Sequence, residues 1–366
     1  MTSKISRLDR NFRAQKIAPG DSYVWVDGAD RRLTVRGLPW FDENRPGYAR
    51  FPARAQKKLR EAVWSLAQCP AGGRICFRSN TTRMAVRVTL AEPSGNQPHM
   101  PATGQSGISL YAGAGQACRP WSGTKPDIAK LGYEGPLFDS VTPEWRDFTL
   151  YLPLYNPLTT LKIGVAPGSS FKPPSPHLLA KPVVFYGTSI TQGGCASLPG
   201  SDFVATTGRI LDVDVVNLGF SGNGQGEPEV AKLMAEVDAS LFVLDYAANS
   251  TVESLTQTLP GFVQTLRRRH PKTPIALLSI IPYWRTAWSI PALKHHEGLR
   301  DALIHFYSDQ RRKGDARLHF IDGLALLPLG TSGASVDGGH PSDHGFQVMA
   351  TNLAPQIERL LYPPPS

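Results

Sequence analysis

The chain has 366 residues and a formal net charge of +9; 19% of its residues are charged, 41% are hydrophobic, and 34 are Gly and 32 Pro. That length fits two domains, each large enough for its own core, and no apolar run approaches what a bilayer-spanning helix needs. Four cysteines (Cys69, Cys76, Cys118 and Cys195) have no metal-ligand spacing and are too few for a disulfide scaffold of this size, so neither a metal nor a disulfide framework is expected.

The chain opens Met1-Thr2-Ser3-Lys4-Ile5-Ser6-Arg7, without the apolar core of a signal peptide, and a cytoplasmic location is the expectation. Short β-rich stretches follow at Tyr23–Val26, Arg32–Val35, Arg74–Phe77, Ala85–Leu90, Gly107–Tyr111, Arg146–Leu152 and Thr160–Val165. Clusters of Gly, Pro and Asn separate them, the signature of an antiparallel β-sandwich. Only Ala55–Leu66 has a pattern compatible with a helix. A run rich in Pro, Ser and Lys over Pro167–Pro182 reads as a linker.

Beyond it the pattern changes. Nearly continuous apolar runs at Pro182–Tyr186, Val213–Leu218, Leu241–Tyr246, Pro274–Ile281 and Leu318–Ile321 read as strands of a parallel sheet covered on both faces. Helix-like segments alternate with them: Asp202–Leu211, Glu229–Val237, Thr251–His270, Leu293–Lys313 and Gly345–Leu361. Pro260 predicts a kink or break in the third. The expectation is an α/β, three-layer αβα, doubly wound (flavodoxin-like) sheet over residues 181–362, preceded by a jelly-roll-like sandwich over residues 1–170. Ligands in such sheets bind beyond the carboxyl ends of the strands. A short low-complexity tail, Pro363–Ser366, ends the chain.

The positive charge raises nucleic acid as a partner. Its dense spots, Arg267-Arg268-Arg269 and Arg311-Arg312-Lys313, close predicted helices, where cations complement the helix dipole. With no zinc-finger, RNP-like or long basic motif, no nucleic-acid or membrane partner is expected.

Chemistry concentrates between residues 187 and 340. An apolar run breaks into Gly187-Thr188-Ser189-Ile190-Thr191; Asn217-Leu218-Gly219-Phe220-Ser221-Gly222 follows the next strand; Asp245-Tyr246-Ala247-Ala248-Asn249-Ser250 follows the third; and Asp337-Gly338-Gly339-His340-Pro341 precedes the last helix. Taken singly, each piece reads as structure: Ser189 or Thr191 as a helix cap, Asn249 as another, Gly219 and Gly222 as turn residues, Asp337 and His340 as a polar loop. In this order they supply a nucleophile, a base and the group that orients the base.

These four pieces resemble the SGNH (GDSL-type) hydrolase superfamily, whose blocks carry Ser, Gly, Asn and His in this chain order. Thr188 stands where the first block usually has Asp, and the third block keeps only its asparagine. Gly107-Ile108-Ser109-Leu110-Tyr111 also resembles the Gly-x-Asp-Leu-Tyr motif of a β-sandwich domain preceding some SGNH enzymes, with Ser109 in place of the aspartate.

The resemblance implies Ser189 as nucleophile, His340 as base, Asp337 as its orienting carboxylate, and an oxyanion hole from Ser189, Gly222 and Asn249, with no cofactor. Gly222 suits that place because a close backbone approach leaves no room for a β-carbon. Tyr283, Trp284 and Trp288 are candidates for lining a substrate pocket, or equally for packing at a domain interface. Asp343-His344 is a rival pair, read instead as a helix cap and first-turn residue; His295 and His296 read as a solvated helix face. A metal site on Asp337, His340 and His344 would need a continuous helix, which Pro341 disfavours.

Three functions follow. The first is a serine esterase acting on a small-molecule or carbohydrate ester, a carbohydrate deacetylase among the candidates. The second is an acyltransferase moving an acyl group from a thioester such as acyl-CoA to an alcohol. The third is a binding protein with a dead site, which joint retention of Ser189, Asp337 and His340 argues against.

Overall fold

The computed structural model describes residues 8–9, 13–18, 20, 22–94 and 97–362. The Met1–Arg7 segment and the Pro363–Ser366 tail lie outside them.

In the first half the strands are β1 (Val24–Asp27), β2 (Thr34–Arg36), β3 (Arg74–Ser79), β4 (Met84–Leu90), β5 (Ser109–Ala112), β6 (Arg119–Gly123), β7 (Gly132–Phe138), β8 (Arg146–Tyr151), β9 (Leu158–Val165) and β10 (Phe171–Lys172). All their pairings are antiparallel. One sheet runs β1-β9-β4-β7; the other runs β10-β3-β8-β5-β6, with β2 also on β3. Val86, Ile163, Phe77, Leu110 and Phe148 from the two sheets meet in one buried cluster, while Arg87 of β4 faces out, as strand alternation requires.

The sequence pattern missed β6, β7 and β10, and all three are edge strands. Edges tolerate proline because one row of N–H groups goes unpaired, and Pro120 and Pro136 sit in β6 and β7. β10 lies inside the Pro-rich linker and pairs with β3, so the linker begins as sandwich. The single helix expected over Ala55–Leu66 is instead a 3-10 segment, Ala53–Lys58, and a helix, Glu61–Ala67. Leu59 and Arg60 between them are extended, and the Arg60 guanidinium donates across to Asn223 (2.9 Å) and Glu227 (2.8 Å). A long-range contact outweighs local helix preference there.

The second half holds β11 (Val183–Gly187), β12 (Val215–Gly219), β13 (Leu241–Asp245), β14 (Ile275–Leu278) and β15 (Leu318–Ile321), parallel and in the order β12-β11-β13-β14-β15. The first three strands and β14 are buried throughout. The main helices are α1 (Ser189–Gln192), α2 (Phe203–Leu211), α3 (Pro228–Met234), α4 (Val252–Arg269), α5 (Ile290–Arg312) and α6 (Asp343–Leu361). α2 and α6 cover the face carrying Phe185 and Val243; α3, α4 and α5 cover the face carrying Tyr186 and Leu244. α4 is continuous through Pro260, so the break that the proline allowed for does not occur. Pro260 and Thr256, the residue whose carbonyl loses its helical donor to the proline, are both exposed.

The halves share core. Trp40, Phe51, Val63 and Ala67 belong to the same buried cluster as Val216, Leu218 and Phe220. Tyr111 and Tyr151 of the sandwich pack on Ala205 of α2.

Candidate active site

The strand order reverses between β11 and β13, and the chain leaves both at the same rim, the place where such sheets hold ligands. Ser189 is the first residue of α1, immediately beyond β11. It does not cap the helix: the Thr188 hydroxyl accepts the Ile190 N–H (3.3 Å), and Thr191 donates to Asp245 (2.7 Å). Ser189 is buried to 8% exposure, and its Oγ lies 2.8 Å from His340 Nε2.

His340 Nδ1 meets Asp337 Oδ2 at 2.7 Å, and Asp337 Oδ1 accepts the N–H groups of His340 (2.8 Å) and Gly339 (3.0 Å). Partial burial would raise the Asp337 carboxyl, but the bonds from the His340 ring and these two N–H groups outweigh it and hold it at about 2. A carboxylate is acceptor only, so Nδ1 carries the imidazole proton and Nε2 is left to accept from Ser189. Ser189, His340 and Asp337 thus form one directed hydrogen-bond chain.

Gly222 follows β12 and Asn249 follows β13. The Asn249 Oδ1 accepts from the Gly224 N–H (3.3 Å), which leaves its amide N–H₂ as the free donor end. Within the protein itself a β-carbon at Gly222 would meet nothing within 4 Å, and its φ of +67° is what favours glycine there. The tight approaches are elsewhere, at Gly219 and Gly224, where a β-carbon would come within 2.1 Å of Gln192 N and 2.2 Å of the Gly187 carbonyl.

Tyr283 and Trp284 lie against the Asp337–His340 loop. The Trp284 N–H donates to the Gly338 carbonyl (2.8 Å), and its ring would touch a β-carbon at Gly338. Burial pushes the Tyr283 phenol up to about 12. Trp288 is set apart, 90% exposed. His296, read from sequence as a solvated face, packs edge-on against Tyr283 at 4.7 Å; burial, with the charge of Arg285, pushes its pKa down to about 4. His295 is exposed as expected. In the rival pair, Ser342 rather than Asp343 caps α6. Asp343 instead accepts from the Ser197 N–H (2.8 Å) and hydroxyl, tying the loop after α1 to α6. His344 is exposed.

Sequence reasoning missed the residues that the first half brings to this rim. The Tyr155 hydroxyl donates to the Ser189 carbonyl (3.3 Å), and the Ser109 hydroxyl donates to the Pro199 carbonyl. Arg50 is wholly buried; it donates to the carbonyls of Asn217 (3.3 Å), Gly219 and Leu66 (2.8 Å) and lies over the Phe220 ring. Burial pushes it down to about 10, so it stays a cation at neutral pH. His99 brings its ring centroid within 5.5 Å of that of His340. Cys195, whose thiol burial pushes up to about 12, completes a group with them: one ligand atom from each of His99, Cys195 and His340 lies within 4.8 Å of the others. No spacing rule links residues 99, 195 and 340.

A parallel sheet in this order, with the Ser–His–Asp chain at its carboxyl rim and an antiparallel sandwich ahead of it, defines the SGNH fold class. Residues 180–358 match the GDSL-like lipase/acylhydrolase family, and residues 23–171 match the N-terminal domain of SGNH-hydrolase-type esterases. The chain thus carries a GDSL-like lipase/acylhydrolase domain, and with it an enzyme's fold, behind the N-terminal domain found in SGNH-hydrolase-type esterases.

A solved protein from Bacteroides ovatus described as a GDSL-like lipase is 28% identical, with a TM-score of 0.85 over 93% of this chain and 98% of its own. A salicylyl-acyltransferase from a tetracycline biosynthetic pathway is 22% identical, with a TM-score of 0.74 over the same shares of the two chains, 93% and 98%. A family two carbohydrate esterase from Cellvibrio japonicus is 14% identical, with a TM-score of 0.58, again over 93% and 98%. The last two likenesses speak to fold. No curated protein matches the chain. Among the described residues, no helix is long and apolar enough to cross a membrane.

Proposed function

We propose that this protein is a serine O-acyl-ester hydrolase working through an acyl-enzyme on Ser189. The observation that supports it most is the chain from Ser189 Oγ through His340 to Asp337, with bonds of 2.8 and 2.7 Å. Ser189 Oγ attacks the ester carbonyl as His340 Nε2 takes its proton, and Asp337 stabilises the imidazolium. The oxyanion is met by the N–H groups of Ser189 and Gly222 and by the Asn249 amide. Ser189, opening a helix, has no intrahelical acceptor for its N–H. His340 then protonates the leaving alcohol, and a water activated by the same nitrogen releases the acid.

Partial solvent exposure of His340 and Asp337, 28% and 37%, favours water as the resolving nucleophile. The substrate class we assign is an acyl ester of a carbohydrate or other small alcohol, with the sandwich (residues 1–170) as an accessory domain to the catalytic one (181–362). One feature favours a second reading, acyl transfer from a thioester to an alcohol: Tyr283 and Trp284 against the Gly338–Gly339 backbone offer an apolar edge on which an acceptor can rest.

Intact-protein mass spectrometry with a panel of esters and acyl thioesters tests both readings. Acyl adducts on the native chain and none on Ser189→Ala are expected; an equal adduct on the variant overturns the assignment. Adding sugars and aromatic alcohols to the acylated enzyme separates hydrolysis, which leaves free acid, from transfer, which makes a new ester.

A further inference from the structure

The loop carrying His99 belongs to the sandwich half, between β4 and β5. A neighbouring helical turn, Ala102–Ser106, docks it on the segment after α1: Thr103 donates to the Ser197 carbonyl (2.6 Å), and a β-carbon at Gly104 would sit 1.9 Å from the Ala196 carbonyl. That segment contains Cys195, whose φ of +74° is a left-handed conformation uncommon for any residue with a β-carbon. The fold therefore holds a buried thiol in a strained turn beside the two imidazoles.

We infer that His99, Cys195 and His340 form an inhibitory site for a zinc-type divalent cation. Two nitrogens and one sulfur are the donor set of a borderline-soft transition metal, not of calcium or magnesium, which take oxygen. Tetrahedral zinc with bonds near 2.0–2.3 Å wants its ligand atoms roughly 3.3–3.8 Å apart. The three lie within 4.8 Å, so side-chain rotations of about an ångström close the set. His340 is already prepared as a ligand, because its Nδ1 donates to Asp337, the arrangement that fixes a metal-binding imidazole.

Binding forms one bond from the cation to Cys195 Sγ and one to a nitrogen of each imidazole. The thiol proton leaves to solvent, and no electron is transferred. The lone pair of His340 Nε2, which accepts from Ser189, passes to the cation, and water or the Ser189 hydroxyl fills the fourth place. One nitrogen cannot serve as base and ligand at once. That consequence rests on the role proposed above for His340; the binding site itself does not.

The test titrates cobalt(II) into the intact protein and follows thiolate-to-metal charge-transfer absorption, then adds zinc to the esterase assay. A charge-transfer band in the native chain, its loss in Cys195→Ala, and an affinity lowered by at least roughly tenfold in His99→Ala are expected, the size that losing even a supporting partner costs a metal site. Zinc should inhibit ester turnover, with EDTA restoring it and His99→Ala weakening the inhibition.

Absence of the band in the native protein, or equal cobalt binding and zinc inhibition in His99→Ala, overturns the site. His99→Ala decides the matter if Cys195→Ala does not fold. A chain that shows the band yet cleaves no ester would instead refute the proposed function and leave the site standing.

Discussion

The two sides of the Ser189–His340 bond are built differently. Ser189 is buried and braced from several directions: Tyr155 reaches its carbonyl, Asn217 donates to the Thr191 carbonyl (2.6 Å), and Gln192 bridges the Leu154 carbonyl and the Ser221 N–H, each at 3.0 Å. His340 and Asp337 sit on a loop that closes mostly on itself. Val336 N–H donates to the His340 carbonyl (2.9 Å), Ser335 donates to the same carbonyl (2.9 Å), and Gly338 N–H donates to Ser335 (2.9 Å). Donors that must meet a developing charge gain from being fixed beforehand, and the nucleophile side is fixed by the core. The base side needs only one ring orientation, which a local loop supplies. Substitutions bracing the first side should cost stability, and those on the second should cost turnover alone.

Ser189→Ala should lower kcat roughly a million-fold while leaving the melting temperature in place, because its Oγ bonds only the exposed side. Turnover and thermal denaturation of the same preparation check this. Asp337→Asn should lower kcat by about four decades, also without unfolding the chain, by releasing the imidazole from its tautomer. A large loss of stability in that variant would mean the loop is part of the core and would end the contrast. Arg50→Met should reverse the pattern. Three carbonyls lose a buried donor, and denaturant unfolding should show a loss of about 3–5 kcal/mol. Full stability in that variant would show that Arg50 is not a brace.

Asn249→Ala should lower kcat roughly a hundredfold to a thousandfold with little change in KM, as expected of a donor that acts in the transition state; an effect confined to KM would make it a substrate contact. The smallest effect concerns Asp245, beneath the nucleophile. Burial raises its carboxyl from 3.8 to about 7, against the opposing bond from Thr191. The folded chain thus keeps a proton that the unfolded chain has lost. Its contribution is complete below 3.8 and disappears as pH rises through about 7. Asp245→Asn should flatten the fall in stability over that window; an unchanged pH profile from denaturation curves would place the titration elsewhere.

The parallel sheet was legible because strands buried on both faces read as nearly continuous apolar runs, and Val183–Phe185 and Leu241–Leu244 are such runs. The site's own residues were legible for a related reason. Each follows a strand or precedes a helix, so local punctuation marks it. The sandwich edges were hidden by prolines that edge pairing permits. Arg50, Tyr155 and His99 were hidden more deeply, since what they touch is decided by how the halves dock, and neither charge pattern nor periodicity encodes a neighbour in the other half of the chain.

The core cluster joining Trp40, Phe51 and Val63 to Val216, Leu218 and Phe220 bears on how this protein can be handled and recombined. A cut at the Pro-rich segment, the obvious crossover point from sequence, would leave each fragment with one half of a hydrophobic contact turned to water. A chimera assembled there would inherit a surface shaped for a partner it no longer has. The smallest portable unit is the sandwich and the parallel sheet together, exchanged as a pair.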